Sequence, residues 1–379
     1  MKSAILITNT DMSSSAGNVT LILRRAEAYY NIEQIFTHII VYKGVKQKEL
    51  KVSSDFYDIS YTREFKELKK QIKEIEPEYI ILYGDKVQML TYPLHTYMNR
   101  KSLHTKIILD VQSSIEEKKE YADNFKQKLL YFLHYLTFVG AINDVDGAFV
   151  VSDELIDNCE KKRFLKRKDI KYFKVRCGID KLLSQESIQS NRAAIRKVYN
   201  IPEDAVVFVY SGYRMAWQKI NETIKEMQGY DKLIDNAFFM FFCNTDEAFE
   251  MQLRHVFPKG NYIVKLLSKN EYQQHLCACD IGYLMRDYNE TNRVAFPNKF
   301  SDYLSSALLI AMNRALPEPY RILENNNLVV LDTDNDDLSS KVDIIYKYLN
   351  NRSLYVEKAL EVSKHELFYE EQVRNNRLH

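Results

Sequence analysis

The eleven residues Phe296-Pro-Asn-Lys-Phe-Ser-Asp-Tyr-Leu-Ser-Ser306 gather groups that would hold a phosphate ester beside a sugar ring. Pro297 suits a turn or a first helical position and Asn298 can cap, so a helix starting there would aim unpaired N–H groups at an anion. Within it Phe300, Tyr303, Leu304 and Ala307 recur at i, i+3, i+4 and i+7, the spacing of a buried face. Lys299, Asp302 and Ser306 fall on the opposite stripe and are expected to look outward. An outward ammonium fits a diphosphate, and a carboxylate fits a pair of ribose hydroxyls. Taken alone, the same stripe also describes a solvated face with an i,i+3 ion pair.

Other chemistries find less support. With only ten glycines there is no G-x-G-x-x-G and no Walker A sequence, which sets dehydrogenases and P-loop NTPases aside. Phosphates must then be held by helix N-termini and basic side chains. The eight histidines are scattered singly, and Cys277 and Cys279 lack a second Cys/His pair, so no metal site is expected and those thiols should be buried. Asp144-Val145-Asp146 is a D-x-D, a short pattern that here precedes a strand and belongs to a turn. A net charge of +1 argues against nucleic acid as a partner.

The elements that must position these groups alternate. Nearly apolar strands are expected at Ala4 to Thr8, His38 to Tyr42, Tyr79 to Tyr83, Lys106 to Val111 and Gly147 to Ser152, with helical stretches between them. A second series runs through Val206 to Tyr210, Phe238 to Cys243, Tyr262 to Leu266, Ile281 to Leu284 and Leu308 to Met312. Two βα series within 379 residues predict an α/β chain of two Rossmann-like domains. The polar SQESIQSNR reads as the linker, giving domains at 1–184 and 185–350, with 351–379 a helical tail that packs back on the first domain.

The segment Pro297-Asn-Lys-Phe-Ser-Asp-Tyr-Leu304, followed by the apolar Leu308 to Met312, resembles the P-N-K-[FL]-x-[ED]-Y-L-A-x-G-x-P-V-I element of retaining GT-B glycosyltransferases related to family 4. In order and spacing, VVFVYSGYRMAWQKINETIKEM is similar to the start of that family's donor domain, and LSKNEYQQHLCACDIGYLMRD to the segment before the donor helix. The resemblance implies a GT-B fold, two domains facing each other across a cleft, with a nucleotide-sugar as donor. By resemblance the donor-binding residues are Gly212, Arg214, Lys219, Asn298, Lys299 and Asp302. Arg214 and Lys219 would neutralise the departing diphosphate, since fixed positive charge is needed where negative charge develops. No metal and no cofactor is implied, and a UDP-sugar is the favoured donor.

The acceptor side is sparsely marked. Gly17 and Asn18, in a polar loop after the first strand, resemble the family's small-residue loop over the sugar. IILDVQSSIEE resembles a cleft-lining segment whose usual His is Gln112 here. The family's Gly, Pro and a frequent Glu are replaced by Ala307, Leu309 and Val294. The resemblance implies a polysaccharide or lipid-linked acceptor and transfer with retention, in a bacterial surface-glycan setting. A non-hydrolysing sugar-nucleotide epimerase is the second reading, lacking the acid/base cluster it would need. A non-catalytic GT-B partner subunit is the third.

The opening MKSAILITNTDMSSS reads as a strand, neither signal peptide nor membrane anchor, so a cytoplasmic setting is expected. Tyr121 to Val139 and the basic Lys161 to Lys171 combine apolar and cationic character suited to peripheral contact with an anionic membrane. For the first of these, a helix packed inward on the core is the favoured expectation.

Overall fold

The computed structural model describes residues 2–13, 17–44, 53–120, 124–166 and 168–378. It divides into two compact units, Met1–Asp180 with Tyr369–His379, and Lys181–Phe368. In the first unit, β1 (Lys2–Thr8), β2 (Ile35–Tyr42), β3 (Tyr57–Thr62), β4 (Tyr79–Tyr83), β5 (Lys106–Asp110), β6 (Gly147–Val150) and β7 (Lys171–Lys174) form one parallel sheet. Its order is β3-β2-β1-β4-β5-β6-β7. Central strands such as Tyr79–Tyr83 are buried throughout, as both faces carry helices. The edge strands β3 and β7 are only partly covered.

The chain returns to this unit at its end. The Tyr369–Asn375 helix lies on the Gly17–Glu33 helix, and Tyr369, Val373 and Leu378 join the same buried cluster as Leu6, Ile22 and Tyr29. The Tyr79 hydroxyl donates to the Leu378 carbonyl at 3.0 Å, and the Arg176 N–H to Gln372 Oε1 at 2.7 Å. Inside the unit, Arg25 pairs with Asp110 at 2.8 Å, with its guanidinium 4.2 Å from the centre of the Phe149 ring.

The second unit contains β8 (Val206–Ser211), β9 (Ala237–Phe242), β10 (Tyr262–Val264), β11 (Ile281–Leu284), β12 (Leu309–Met312) and β13 (Val330–Asp332), all parallel. The order is β10-β9-β8-β11-β12-β13. At its core Phe208 stacks on Tyr230 and Phe239, ring centres 4.9 and 5.5 Å apart.

SQESIQSNR, read as a linker, is instead helical: Gln185–Val198 forms a helix capped by Ser184, whose hydroxyl accepts from the Ser187 N–H. The polar residues misled because their work is directed inward. Arg192 and Arg196 both reach the buried Asp280 carboxylate at 2.8 Å, and Arg196 also donates to the carbonyls of Pro202, Glu203 and Ala205.

Candidate functional site

In each sheet the strand order reverses once, between β1 and β4 and between β8 and β11. Ligands of open parallel sheets bind at the carboxyl ends of the strands flanking such a reversal. In the second unit those ends are Ser211-Gly212 and Met285-Arg286.

Gly212 has a left-handed backbone, φ +99°, and a Cβ there would lie 2.7 Å from Lys299 Cε. The lysine therefore crosses directly over the bare backbone, an approach only glycine permits. Lys299 Nζ donates to Gln218 Oε1 at 2.7 Å and sits 4.6 Å from the centre of the Tyr210 ring. Enclosure, followed by the charge of Arg286, holds its ammonium well below the usual lysine range. Arg286 is itself buried. Its backbone N–H donates to Asn313 Oδ1 at 3.2 Å, and Asn313 Nδ2 donates back to the Arg286 carbonyl at 2.8 Å. The end of β12 thus fixes the backbone from which this second cation extends.

Lys299 belongs to the Asn298–Ser305 helix, capped by Pro297, with Asn298 exposed at its first position. Phe300, Tyr303, Leu304 and Ala307 form the buried face. Gly282 lets the Tyr303 ring come close, since a Cβ there would meet it at 2.6 Å. Ser211 Oγ shares hydrogen bonds with the Tyr272 and Tyr303 hydroxyls at 2.6 and 2.8 Å. Burial, with a contribution from Asp302, pushes the Tyr272 phenol well up, so this network stays protonated and Asp302 lies beside it. Ser306 does not look outward as expected. The helix ends at Ser305, and Ser306 and Ala307 turn inward, fully buried, with Ala307 left-handed at φ 58°.

The other donor-side candidates point elsewhere. The Arg214 guanidinium lies 4.5 Å from the centre of the Phe249 ring and is paired with Asp246, which caps the Glu247–Val256 helix. The Arg214 and Phe249 contacts hold the Asp246 carboxyl below its usual range. Lys219 caps the Ile220–Leu233 helix from a left-handed backbone, and its Nζ lies 3.2 Å from Asp287 Oδ1. It opens on a cleft of about 380 Å³ that also involves Glu226, Asn313, Thr333 and Lys341. The two lysines thus take different partners, drawn apart by Asp287 and Gln218. Arg286, which sequence reasoning passed over, is the cation whose charge reaches Lys299, its Nη1 donating to the Met285 carbonyl at 2.8 Å. Its signal was its place two residues beyond a fully apolar strand.

In the first unit Gly17 opens the Gly17–Glu33 helix and Asn18 is exposed, its Oδ1 accepting from the Val19 N–H at 2.9 Å. Residues 14–16 of that loop lie outside the described residues. Gln112 donates to Asp110, the partner of Arg25, and so is held to a buried ion pair. Gly84, at φ +104°, meets Asn9 across the strand-order reversal: a Cβ there would lie 3.0 Å from Asn9 Oδ1. Of the D-x-D, Asp146 accepts from the Ile107 N–H at 2.8 Å and pairs with Lys168 at 3.0 Å, the work of a turn. Among the described residues no group of three or more His, Cys, Asp or Glu side chains could hold a metal ion.

No protein-family model matches the sequence, and no curated protein matches it. Solved structures do match over the whole length. Sucrose-phosphate synthase from Thermosynechococcus elongatus superimposes with a TM-score of 0.70 at 10% identity, covering 99% of this chain and 97% of that one. Anabaena HepE in complex with UDP gives 0.66 at 10% identity, with 100% and 99% covered. The fold is GT-B. A glycosyltransferase from Rickettsia africae shares this GT-B architecture at a TM-score of 0.64 and 12% identity, covering 99% and 96%.

Proposed function

We propose that this GT-B chain is a glycosyltransferase that takes a nucleotide-activated sugar, a UDP-sugar first, and passes the sugar to a polysaccharide or lipid-linked acceptor. The observation that carries the reading is Lys299 crossing the bare backbone of Gly212 at the β8/β11 reversal, within reach of the charge of the buried Arg286, in a chain without a glycine-rich phosphate loop. Two cations enclosed side by side repel one another, and a diphosphate would relieve that repulsion. HepE, of the same fold, has been solved with UDP and with UDP-glucose.

In this reading Lys299, Arg286 and the N–H groups around Asn298 hold the diphosphate, while Asp302 takes the ribose hydroxyls. Lys219 and Arg214 lie in the stretch after β8, paired with Asp287 and Asp246, and would add positive charge by exchanging those carboxylates for phosphate. As the bond from the sugar C1 to the phosphate oxygen breaks, the leaving diphosphate gains negative charge, which these fixed cations stabilise. The acceptor hydroxyl forms the new bond to C1 on the face the phosphate leaves, and its proton passes to a phosphate oxygen. That route gives retention and asks no side chain to act as base, in keeping with Gln112 at the position of the family's histidine. The transferred sugar is a hexose or N-acetylhexosamine, the step needs no metal ion, and the setting is the inner face of a bacterial membrane during surface-glycan assembly.

Melting curves with UDP-, GDP- and dTDP-sugars test the reading, because a ligand of the native state raises the melting temperature. A rise with one nucleotide series, followed by EDTA-insensitive release of its nucleoside diphosphate, is expected. No rise with any of them would overturn it. Binding without turnover, even with added acceptors, would favour the partner-subunit reading, to which the immobilised Gln112 lends support.

A further inference from the structure

The Phe125–Ile142 helix does not pack inward as the sequence favoured. Only its C-terminal end is buried, through Phe138, Val139, Ala141 and Ile142. Phe125 is 82% exposed, and Leu129, Phe132, Leu133 and Leu136 are 52–54% exposed. These five recur at i, i+4, i+7, i+8 and i+11, one face of a helix, and span about 16 Å at 1.5 Å per residue. A stripe of this kind on the outside of a folded chain marks an interaction surface.

Charge decides what covers it. From Asn124 to Asn143 there is no carboxylate, while Lys126 and Lys128 are exposed beside the stripe. The neighbouring Glu117–Glu120 helix, Glu-Lys-Lys-Glu, is balanced. A second apolar tip, Phe164-Leu165, is tied to the end of the same helix. The buried Asn143 side chain accepts from the Leu165 and Lys166 N–H groups at 3.0 and 3.2 Å and donates to the Lys162 carbonyl at 2.9 Å. Phe164 is 69% exposed, with Lys161 and Lys166 exposed around it. Aromatic and leucine side chains ringed by lysines are the composition of a surface that enters the boundary of an anionic bilayer. A second copy fits poorly, since the same face of a partner would bring no carboxylate to meet these lysines. No helix among the described residues is long and apolar enough to cross a membrane.

We propose that the Phe125–Leu136 stripe and the Phe164-Leu165 tip dock this protein on an anionic lipid surface. The docking helix lies against Asp85–Gln88, which begins directly after Gly84 at the strand-order reversal of the first unit. The bilayer would thus lie beside the edge where an acceptor is expected. The docking itself rests on these exposed groups alone and stands whether or not the chain transfers sugar.

The test is co-sedimentation of the full chain with vesicles of phosphatidylcholine, alone or mixed with phosphatidylglycerol. Binding is expected only to the mixed vesicles, and to weaken with added salt. The paired L129S and L133S changes should lower partitioning at least tenfold, and K126Q with K128Q by about fivefold per lysine. All four positions are exposed, so circular dichroism and melting temperature should match the parent. Failure to bind mixed vesicles would overturn the proposal, as would binding that survives both pairs of changes. A dimer in light scattering that L129S with L133S dissociates, without lipid binding, would make a second copy the occupant and also overturn it.

Discussion

Replacing Lys299 by Met should weaken nucleotide binding and stabilise the empty protein at once. The change keeps most of the stem over Gly212 and removes the charge. Of the three N–H donors on the ammonium, one goes to Gln218 at 2.7 Å, leaving two for phosphate oxygens. A hydrogen bond to a charged group contributes about 1.5–3 kcal/mol, so UDP should bind K299M about 10- to 150-fold more weakly. Uridine, which lacks the phosphates, should bind almost unchanged. In the empty parent, enclosure and Arg286 depress the lysine, so the folded state holds its proton less tightly than the unfolded one. Parental stability should therefore rise with pH between the depressed value and the ordinary value of about 10.4, a gain absent from K299M. Below that window K299M should melt higher than the parent, having lost an enclosed cation. UDP affinity of the parent should fall as pH rises through the depressed value, and that of K299M should not. Isothermal titration calorimetry with UDP and uridine, and melting curves across pH, measure all of this. Equal loss of uridine and UDP affinity, or unchanged UDP affinity in a folded K299M, would refute the placement of the phosphates.

Gly212→Ala should cost about 1–2 kcal/mol of stability from its left-handed backbone alone, and by pushing Lys299 aside it should lower UDP affinity, both readable in one melting series with and without UDP. Asp302→Ala should weaken UDP binding while 2′,3′-dideoxy-UDP binds parent and variant alike; a variant as tight as the parent for UDP would remove the ribose role. Truncation before Tyr369 strips Val373 and Leu378 from the first unit's core, where each is buried. At about 1.5–3 kcal/mol for each such side chain, that unit should melt well below the second in calorimetry.

Much of this was legible because burial on both faces writes itself as an unbroken apolar run. β4, β8, β11 and β12 are buried at every residue, and all were found. β3, β7 and β13 went unseen because edge strands alternate and carry charge, as in YDISYT and KYFK, which blunts them against pairing with other chains. The buried stripe around Tyr303 was read correctly, but periodicity ran one step too far, assigning Ser306 to an outward face after the helix had ended. Arg286 escaped because its value lies in which strands are neighbours, and strand order is not written locally. The outward face of the Phe125–Ile142 helix escaped for the opposite reason: its composition alone does not say what will cover it.

That the first unit is built from two separated stretches of chain has a consequence for how it is made. The core opened by β1 is closed only by Tyr369, Val373 and Leu378, so the unit whose translation starts first is completed last. At 5–20 residues per second, synthesis of Lys181–Phe368 takes about 10–40 s, and for all of that time the first unit lacks its last helix. Through that interval Leu6, Ile22 and Tyr29 wait without their final cover, a nascent apolar seam open to chaperones and to wrong partners. Full chains released without Tyr369–His379 should carry a first unit more sensitive to protease than the second.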